Sequence, residues 1–518
     1  MPRGVEAPGA RGSRIWQGEP VHHESLRALI RRRLADEVGR LHKQAPGRVC
    51  LAYPSPYHVG MSSLGFQRIY QALMDHPGMS CERAFLGDEG APEEMPVTYE
   101  SLTSPADFPV VAVSVAYELE LAGLIKLLEG SHIPALREER NERHPIIVGG
   151  GPLTFSNPLP LAAFADVIVM GEAEELAPRV CELAIELPRE QALDAMAQLD
   201  HVFVPSRHGD TMPTVAKAPD SLLPSCSVIR TPHTELSNMF LVETERGCSR
   251  ACTYCVMRRS TNGGMRVVPK ETIMGLIPED ARRVGLVGAA VSDHPKIVEI
   301  VRELGESGRE VGLSSLRPDR LSDAFVGALK LAGTRALTTA MDGPSERLRE
   351  TLERRARVKH LVAAAERARA HGMHHLKLYL MVGLPTETDE DIDECIAFTT
   401  QLNAISPIVL GVAPFCAKRN TPLDGAPFAG IDVVERRLER LRRGLRGRSE
   451  VRSISAKWAW VEYVLAQGGV AEGRAVLDAV HAGGSFSAYK RAFAALPTNR
   501  PRRSLAIVRE NLSAGAAR

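Results

Sequence analysis

Short apolar runs that alternate with amphipathic helical stretches constrain this chain more than any other feature. From Arg48 onward, "RVCLAYPS", "VVAVSVA", "PIIVGGGP" and "ADVIVMGEAEE" begin or run as apolar segments, with helical stretches such as "LGFQRIYQALMDH" and "ELAGLIKLLEGSHI" between them. Strands that are apolar along their whole length are buried on both faces, the pattern of a parallel sheet covered by helices. The alternation predicts an α/β doubly wound domain over residues 45–190. Residues 191–235 carry several Pro and turn residues and read as a connector. A second series opens at "MFLVETERGC" and continues through "RVGLVGAA", "EVGLSSL", "TRALTTAMD", "HHLKLYLMVGLP" and "PIVLGVAPF". Six strand–helix repeats predict a partial, TIM-like (β/α)6 barrel over 236–425, whose chemistry belongs at the C-terminal ends of its strands. Residues 426–518 read as a helical C-terminal region.

Upstream, residues 1–44 read as a disordered tail and an amphipathic helix, with Leu26, Leu29, Ile30, Leu34, Val38 and Leu41 at three- and four-residue spacings. The first twenty residues have no apolar core of a secretory signal, and no apolar run reaches the roughly 20 residues of a membrane span. The formal net charge of +1 gives no global field toward nucleic acid or membrane. Local basic runs alternate with acids or Leu at helical spacing, and no aromatic–basic platform for RNA is legible. Of nine cysteines, six are scattered singly, as a reducing cytoplasm permits.

The other three are crowded into "ETERGCSRACTYCVMRRS" as Cys248, Cys252 and Cys255, spaced C-x3-C-x2-C. Three thiols held within one short loop can ligate a metal or a cluster. Structural zinc wants four ligands, usually from paired C-x2-C knuckles, and here the next cysteine is Cys395. A [4Fe–4S] cluster normally takes four cysteines as well. With three, one iron keeps an open position, and an open position signals chemistry.

This triplet after a strand resembles the signature of the radical S-adenosylmethionine (SAM) enzymes. The resemblance implies that Cys248, Cys252 and Cys255 hold a [4Fe–4S] cluster whose fourth iron chelates SAM, and that SAM is cleaved reductively to a 5′-deoxyadenosyl radical. It places Tyr254 near the adenine. Gly288 and Ala289 stand in the turn that receives the SAM amino group, without the acidic residue usual there. Ser314 and Ser315 are candidates for the ribose, Arg317 for the methionine carboxylate, and Asp342 for a contact toward SAM. In "LKLYLMVGLPTETDEDI", Gly383 and Pro385 break the strand, and Thr386 is expected to cap the acidic helix that follows.

A doubly wound domain before such a barrel resembles the cobalamin-binding type. The expected cobalamin contacts are His58 in "SPYHVGMSSLG", Ser114 in "VAVSVAYE", and Gly149, Gly150 and Gly151 in "IIVGGGP". His58 stands in the loop of the lower-ligand motif, but Pro56 replaces its acid and the spacing to Gly60 differs. Longer stretches, among them "CERAF" and "GGGPLTFSNPLPLAAFADVIVMGEAEE", resemble a family of bacterial radical SAM proteins of unassigned reaction. In its C-terminal part Gln467-Gly468-Gly469 replace an Arg-Gly-Asp-Arg run, and Cys416 falls inside "APFCAKRNTPLDGAP".

The resemblance implies a cytoplasmic radical SAM enzyme, with a cobalamin-dependent methyltransferase as the reading of first choice. A cobalamin-independent enzyme of hydrogen abstraction, sulfur insertion or rearrangement is the first alternative. A metal-stabilised RNA-binding protein is the second. The expected partners are a small-molecule or peptide substrate and an electron donor such as flavodoxin or ferredoxin, without a membrane.

Overall fold

The structure is a computed structural model that describes residues 20–89, 95–257, 264–314 and 316–496. Residues 1–19 of the expected tail, and Ser315, lie outside the described residues. The first helix runs Pro20–Ala35 and stops short of the predicted Leu41. Gly39 takes a φ of +93° beyond it, and Val38 pairs with Arg230 as an isolated bridge instead. The chain there follows a backbone partner rather than its apolar spacing.

The first sheet holds β1 (Gly47–Pro56), β2 (Met79–Leu86), β3 (Val110–Ser114), β4 (Ile146–Gly150), β5 (Val167–Val169) and β6 (Val202–Phe203). Their order is β2-β1-β3-β4-β5-β6, parallel throughout except β6. This is the doubly wound arrangement, with the reversal of strand order between β1 and β3. One face is covered by the helices Leu64–Asp75 and Leu176–Glu186. On the other face lies Leu121–Gly130, but the crossover from β4 to β5 contains only 3-10 turns. The missing layer comes from the far end of the chain. Helices Ala456–Gln467, Val470–His481 and Phe486–Ala494 put Val461, Leu465, Val476, Ala479, Tyr489 and Phe493 into one core with Val111, Ile147 and Ile168. The C-terminal helical region is thus a layer of the first domain. Asn157 fastens it by donating its buried amide to the carbonyls of Leu465, Ala466 and Gly468.

The second series starts with β7 (Met239–Glu243), followed by a hairpin of β8 (Glu245–Gly247) and β9 (Met265–Val267). It continues with β10 (Arg283–Val287), β11 (Glu310–Leu313), β12 (Leu337–Asp342), β13 (Leu376–Val382) and β14 (Ile408–Pro414). The order β7-β10-β11 is joined to β12-β13-β14 by one parallel bridge, Leu316 to Thr339. The six predicted strands are all present, and a seventh, β15 (Glu450–Ser453), extends the parallel series past β14. Its sequence "EVRS" is short and half charged, so no apolar run announces it. Along β13, Leu376, Leu378, Leu380 and Val382 pack outward under helices, whereas Tyr379 is exposed on the inner face. Tyr379 lies over Gly411, where a side chain would meet its ring at 2.6 Å. The barrel is open and its inner wall accessible. Among the described residues no helix is long and apolar enough to cross a membrane.

Candidate active site

The three cysteines fall in the loop between β8 and β9, just past the C-terminal end of β7. Gly247, at φ +81°, turns the chain into the loop in a conformation that suits glycine. Cys252 is buried, and Cys248 and Cys255 are half-buried. Burial pushes the Cys248 and Cys255 thiols up, and the nearby Cys252 thiol adds to the effect at both. Among the described residues no three His, Cys, Asp or Glu side chains converge on one point as a mononuclear metal needs. A cubane takes one thiolate per iron and does not ask for such convergence. The donor set fits three corners of a [4Fe–4S] cluster, with the fourth left to a non-protein ligand.

The loop is anchored on both sides. Thr253 donates its backbone N–H to Leu352 and accepts one from Leu423. Tyr254 packs against the satellite core of Leu348, Leu352, Leu384, Phe415 and Ala417 and hydrogen-bonds Asp342. Asp342 is buried at φ +64°, a left-handed conformation that Asp tolerates better than most residues. Its carboxylate pairs with Arg354, which also bonds Cys252. Burial opposes the charge on Arg354, yet Asp342, Tyr254 and Cys252 hold the guanidinium protonated above its usual range. A cation is therefore fixed against the Cys252 thiol. Asp342, expected to face SAM, instead supports the loop through Tyr254 and Arg354.

On the other side Arg250 donates to Asp293 at 3.0 and 3.1 Å and to Asp319 at 3.3 Å, while its backbone N–H donates to the Cys248 sulfur at 3.4 Å. Arg317 is buried close by, 3.5 Å from Asp293 and 3.2 Å from Asp319, and its Nε has no hydrogen-bond partner among the described residues. Burial and the repulsion of Arg354 pull its pKa down. An under-satisfied guanidinium next to the cluster loop suits a carboxylate. Ser314 is exposed at the end of β11, and the matching expectation for Ser315 lies outside the described residues.

The turn after β10 holds a residue that sequence reasoning missed. Glu245, from β8, fills the space beside Gly288, where a Cβ would stand 2.0 Å from its Oε1. That oxygen accepts the Ala290 N–H at 2.6 Å, and Oε2 is buried without a partner among the described residues. Burial raises the Glu245 carboxyl to about 7, with Glu243 and Asp293 adding repulsion against the Ala290 hydrogen bond. The acid absent from the "GLVGAAVSD" turn is thus present in space, while Ala289 beside it is exposed.

In the first domain the candidate ligand residues lie at the C-terminal ends of β1, β3 and β4. His58 sits in the short turn Tyr57–Gly60, half-buried, with its carbonyl accepting the Ser62 hydroxyl. Gly149 is closed by Leu161 and Ala165, and Gly151, at φ +100°, by Val115 and the Ser114 hydroxyl. Only Gly150 of the three faces space, its nearest neighbour 3.9 Å away. Internal packing therefore accounts for two of the three glycines and leaves Gly150 open at the end of β4. The "GEAEE" segment has a different task. Glu172 and Glu174 receive Arg246, two residues before Cys248, at 3.2 and 2.6 Å, and Glu172 also receives Arg266 from β9. The first domain grips the cysteine hairpin itself.

At the stop after β13, the Gly383 and Leu384 N–H groups are bound by the Glu387 carboxylate. The cap of helix Asp389–Ile405 is Thr388, not Thr386. Thr386 is displaced into a turn at φ +64°.

A doubly wound domain joined to an open parallel α/β barrel, with a three-thiol loop after the barrel's first strand, defines a class of cluster-bearing enzyme. Comparison with known proteins makes it particular. The sequence pattern of the radical SAM superfamily matches residues 242–399, and that of the N-terminal domain of radical SAM proteins matches 65–205. The chain belongs to the radical SAM superfamily and is a radical SAM enzyme. It is 28% identical over 389 residues to the uncharacterized protein MJ0966 of Methanocaldococcus jannaschii, covering 73% of this chain and 80% of that one. The solved structure of the cobalamin-dependent SAM radical enzyme OxsB, with aqua-cobalamin and SAM bound, aligns at TM-score 0.49 and 14% identity. That alignment covers 77% of this chain and 56% of OxsB, so the chain spans about half the length of that protein. Streptococcus suis SuiB bound to SAM aligns at TM-score 0.32 and 13% identity over 43% of this chain and 51% of its own.

Proposed function

We propose that the protein cleaves SAM reductively at the cysteine loop and uses the product to transfer a methyl group, with cobalamin held between the two domains. The observation that carries the reading is a loop of three thiols, no fourth protein ligand among the described residues, and polar groups around it that suit one molecule of SAM. When bound, a [4Fe–4S] cluster would supply the electron that breaks the sulfonium bond. Cys248, Cys252 and Cys255 would hold it, and Arg354 would place a positive charge against Cys252. Arg317 would take the carboxylate of SAM, and the unpartnered Glu245 Oε2 would take its ammonium.

The methyl-transfer part rests on the way the two sheets meet. Lys418 and Asn420, just past β14, bond Glu118 past β3 and the Phe155 carbonyl past β4. The C-terminal edges of both sheets therefore face each other. A second reading, a radical enzyme without cobalamin, draws support from the filled glycine turn. Anaerobic reconstitution with iron, sulfide, SAM and dithionite separates them. The proposal expects 5′-deoxyadenosine and S-adenosylhomocysteine together, with a cobalamin absorption spectrum after growth on hydroxocobalamin. 5′-Deoxyadenosine alone, with no cobalamin spectrum, assigns the second reading, and neither product overturns both.

A further inference from the structure

We propose that an acidic one-electron carrier protein docks on the basic groove between the turns after β10 and β11 and helix Val358–Ala370, beside the cysteine loop. The proposal rests on the reductive reading above, which needs an electron from outside the chain. The groove has a volume of about 660 Å³, and its charged lining is Asp293, Asp319, Arg320, Lys359 and Arg367, with His360 on the same helix. Three cations against two carboxylates leave 3 − 2 = +1 with histidine neutral. The two carboxylates are already engaged, from beneath by Arg250 and Arg317 and from the groove by Arg320, which pairs with Asp293 at 3.0 Å, so the positive charge left open is that of Lys359 and Arg367. Lys359 is exposed, and neither it nor Arg367 pairs with a carboxylate among the described residues. The face offered to a partner is therefore positive, and complementary charge raises encounter rates and sets orientation.

The groove floor also leads to the cluster loop. Asp293 and Asp319 both bind the Arg250 side chain, and the Arg250 backbone donates to the Cys248 sulfur. From a carrier seated here, a hydrogen-bonded path runs through Asp293 or Asp319 and then Arg250 to the Cys248 sulfur. In the step, one electron leaves the carrier and enters the centre held by the three thiols, with no bond made or broken and no proton moved. The lining holds no Phe, Tyr or Trp on which a base would stack, which disfavours single-stranded nucleic acid.

The test uses the full-length reconstituted protein, flavodoxin as the probe, and the double variant Lys359→Glu/Arg367→Glu beside Lys359→Ala/Arg367→Ala. Calorimetry with oxidised flavodoxin reads docking whether or not SAM is cleaved. The expected result is binding at least about tenfold weaker in the Glu variant, intermediate in the Ala variant, and less sensitive to salt in both. Flavodoxin-driven 5′-deoxyadenosine formation falls in parallel, while the dithionite-driven rate stays within about twofold. Arg442→Glu/Arg443→Glu, on helix Ile431–Gly444, serves as the charge control and should bind like the parent. Unchanged binding in the groove variants, equal weakening in the control, or binding of a short RNA in place of flavodoxin overturns the proposal. Absence of dithionite-driven cleavage in the parent protein refutes the reductive reading, and the calorimetric result still decides the docking site.

Discussion

Glu245 shows how one buried carboxylate couples the turn after β10 to the cysteine hairpin. Its folded carboxyl sits near 7, above the ordinary glutamate range, because burial disfavours the charged form. Between an unfolded value of about 4.3 and this raised value, the folded chain holds a proton that the unfolded chain has lost. Stability from this site is therefore present at low pH and falls as pH rises through that window, by about 2–3 kcal/mol. Glu245→Gln should flatten that part of the profile. The check is the thermal midpoint of parent and variant from pH 5 to 8, and parallel profiles would contradict it. The cysteines were legible because ligand spacing is local, three thiols in eight residues. Glu245 was not legible as a site residue, because its partner turn at Gly288 lies on another strand and only the fold joins them. Asp342 was legible as a site position, but its direction was not. That direction depends on Arg354, which follows a further helix.

Among the elements, helix Val470–His481 carries the sharpest test of packing. Gly473 is helical, and propensity alone predicts that Gly473→Ala stabilises the protein by about 1 kcal/mol. Here an added Cβ would lie 2.1 Å from the Pro160 carbonyl, a backbone atom with no freedom to move away. The variant should therefore lose about 1–3 kcal/mol and expose the last three helices to proteolysis before the rest. A raised thermal midpoint with unchanged proteolysis would contradict this packing. The two β/α series could be read from apolar periodicity, because strands buried on both faces advertise themselves. β15 could not, since it is short and carries Glu450 and Arg452. The C-terminal segments were readable as helices, but not as the layer replacing the absent β4–β5 helix, because helical periodicity says which face is apolar and not what covers it.

At the scale of the molecule, the two domains act as one frame around the loop. Glu172 and Glu174 grip the hairpin at its base through Arg246 and Arg266, and Lys418 ties the barrel's sixth strand to Glu118 and Glu462. Burial raises the Glu118 carboxyl, and its Oε1 has no partner among the described residues. That leaves acceptor capacity where the two sheets face each other. These long-range ion pairs join charges more than forty residues apart, so the sequence displays the charges without their pairing. The frame matters only if the loop holds a cluster with one iron open to SAM. The direct test is Mössbauer spectroscopy with iron and zinc analysis of oxygen-free protein, with and without SAM. The account predicts about four irons per chain, one of which changes its signal on adding SAM, and loss of the cluster in Cys252→Ala. Stoichiometric zinc, or an iron spectrum indifferent to SAM, would contradict it.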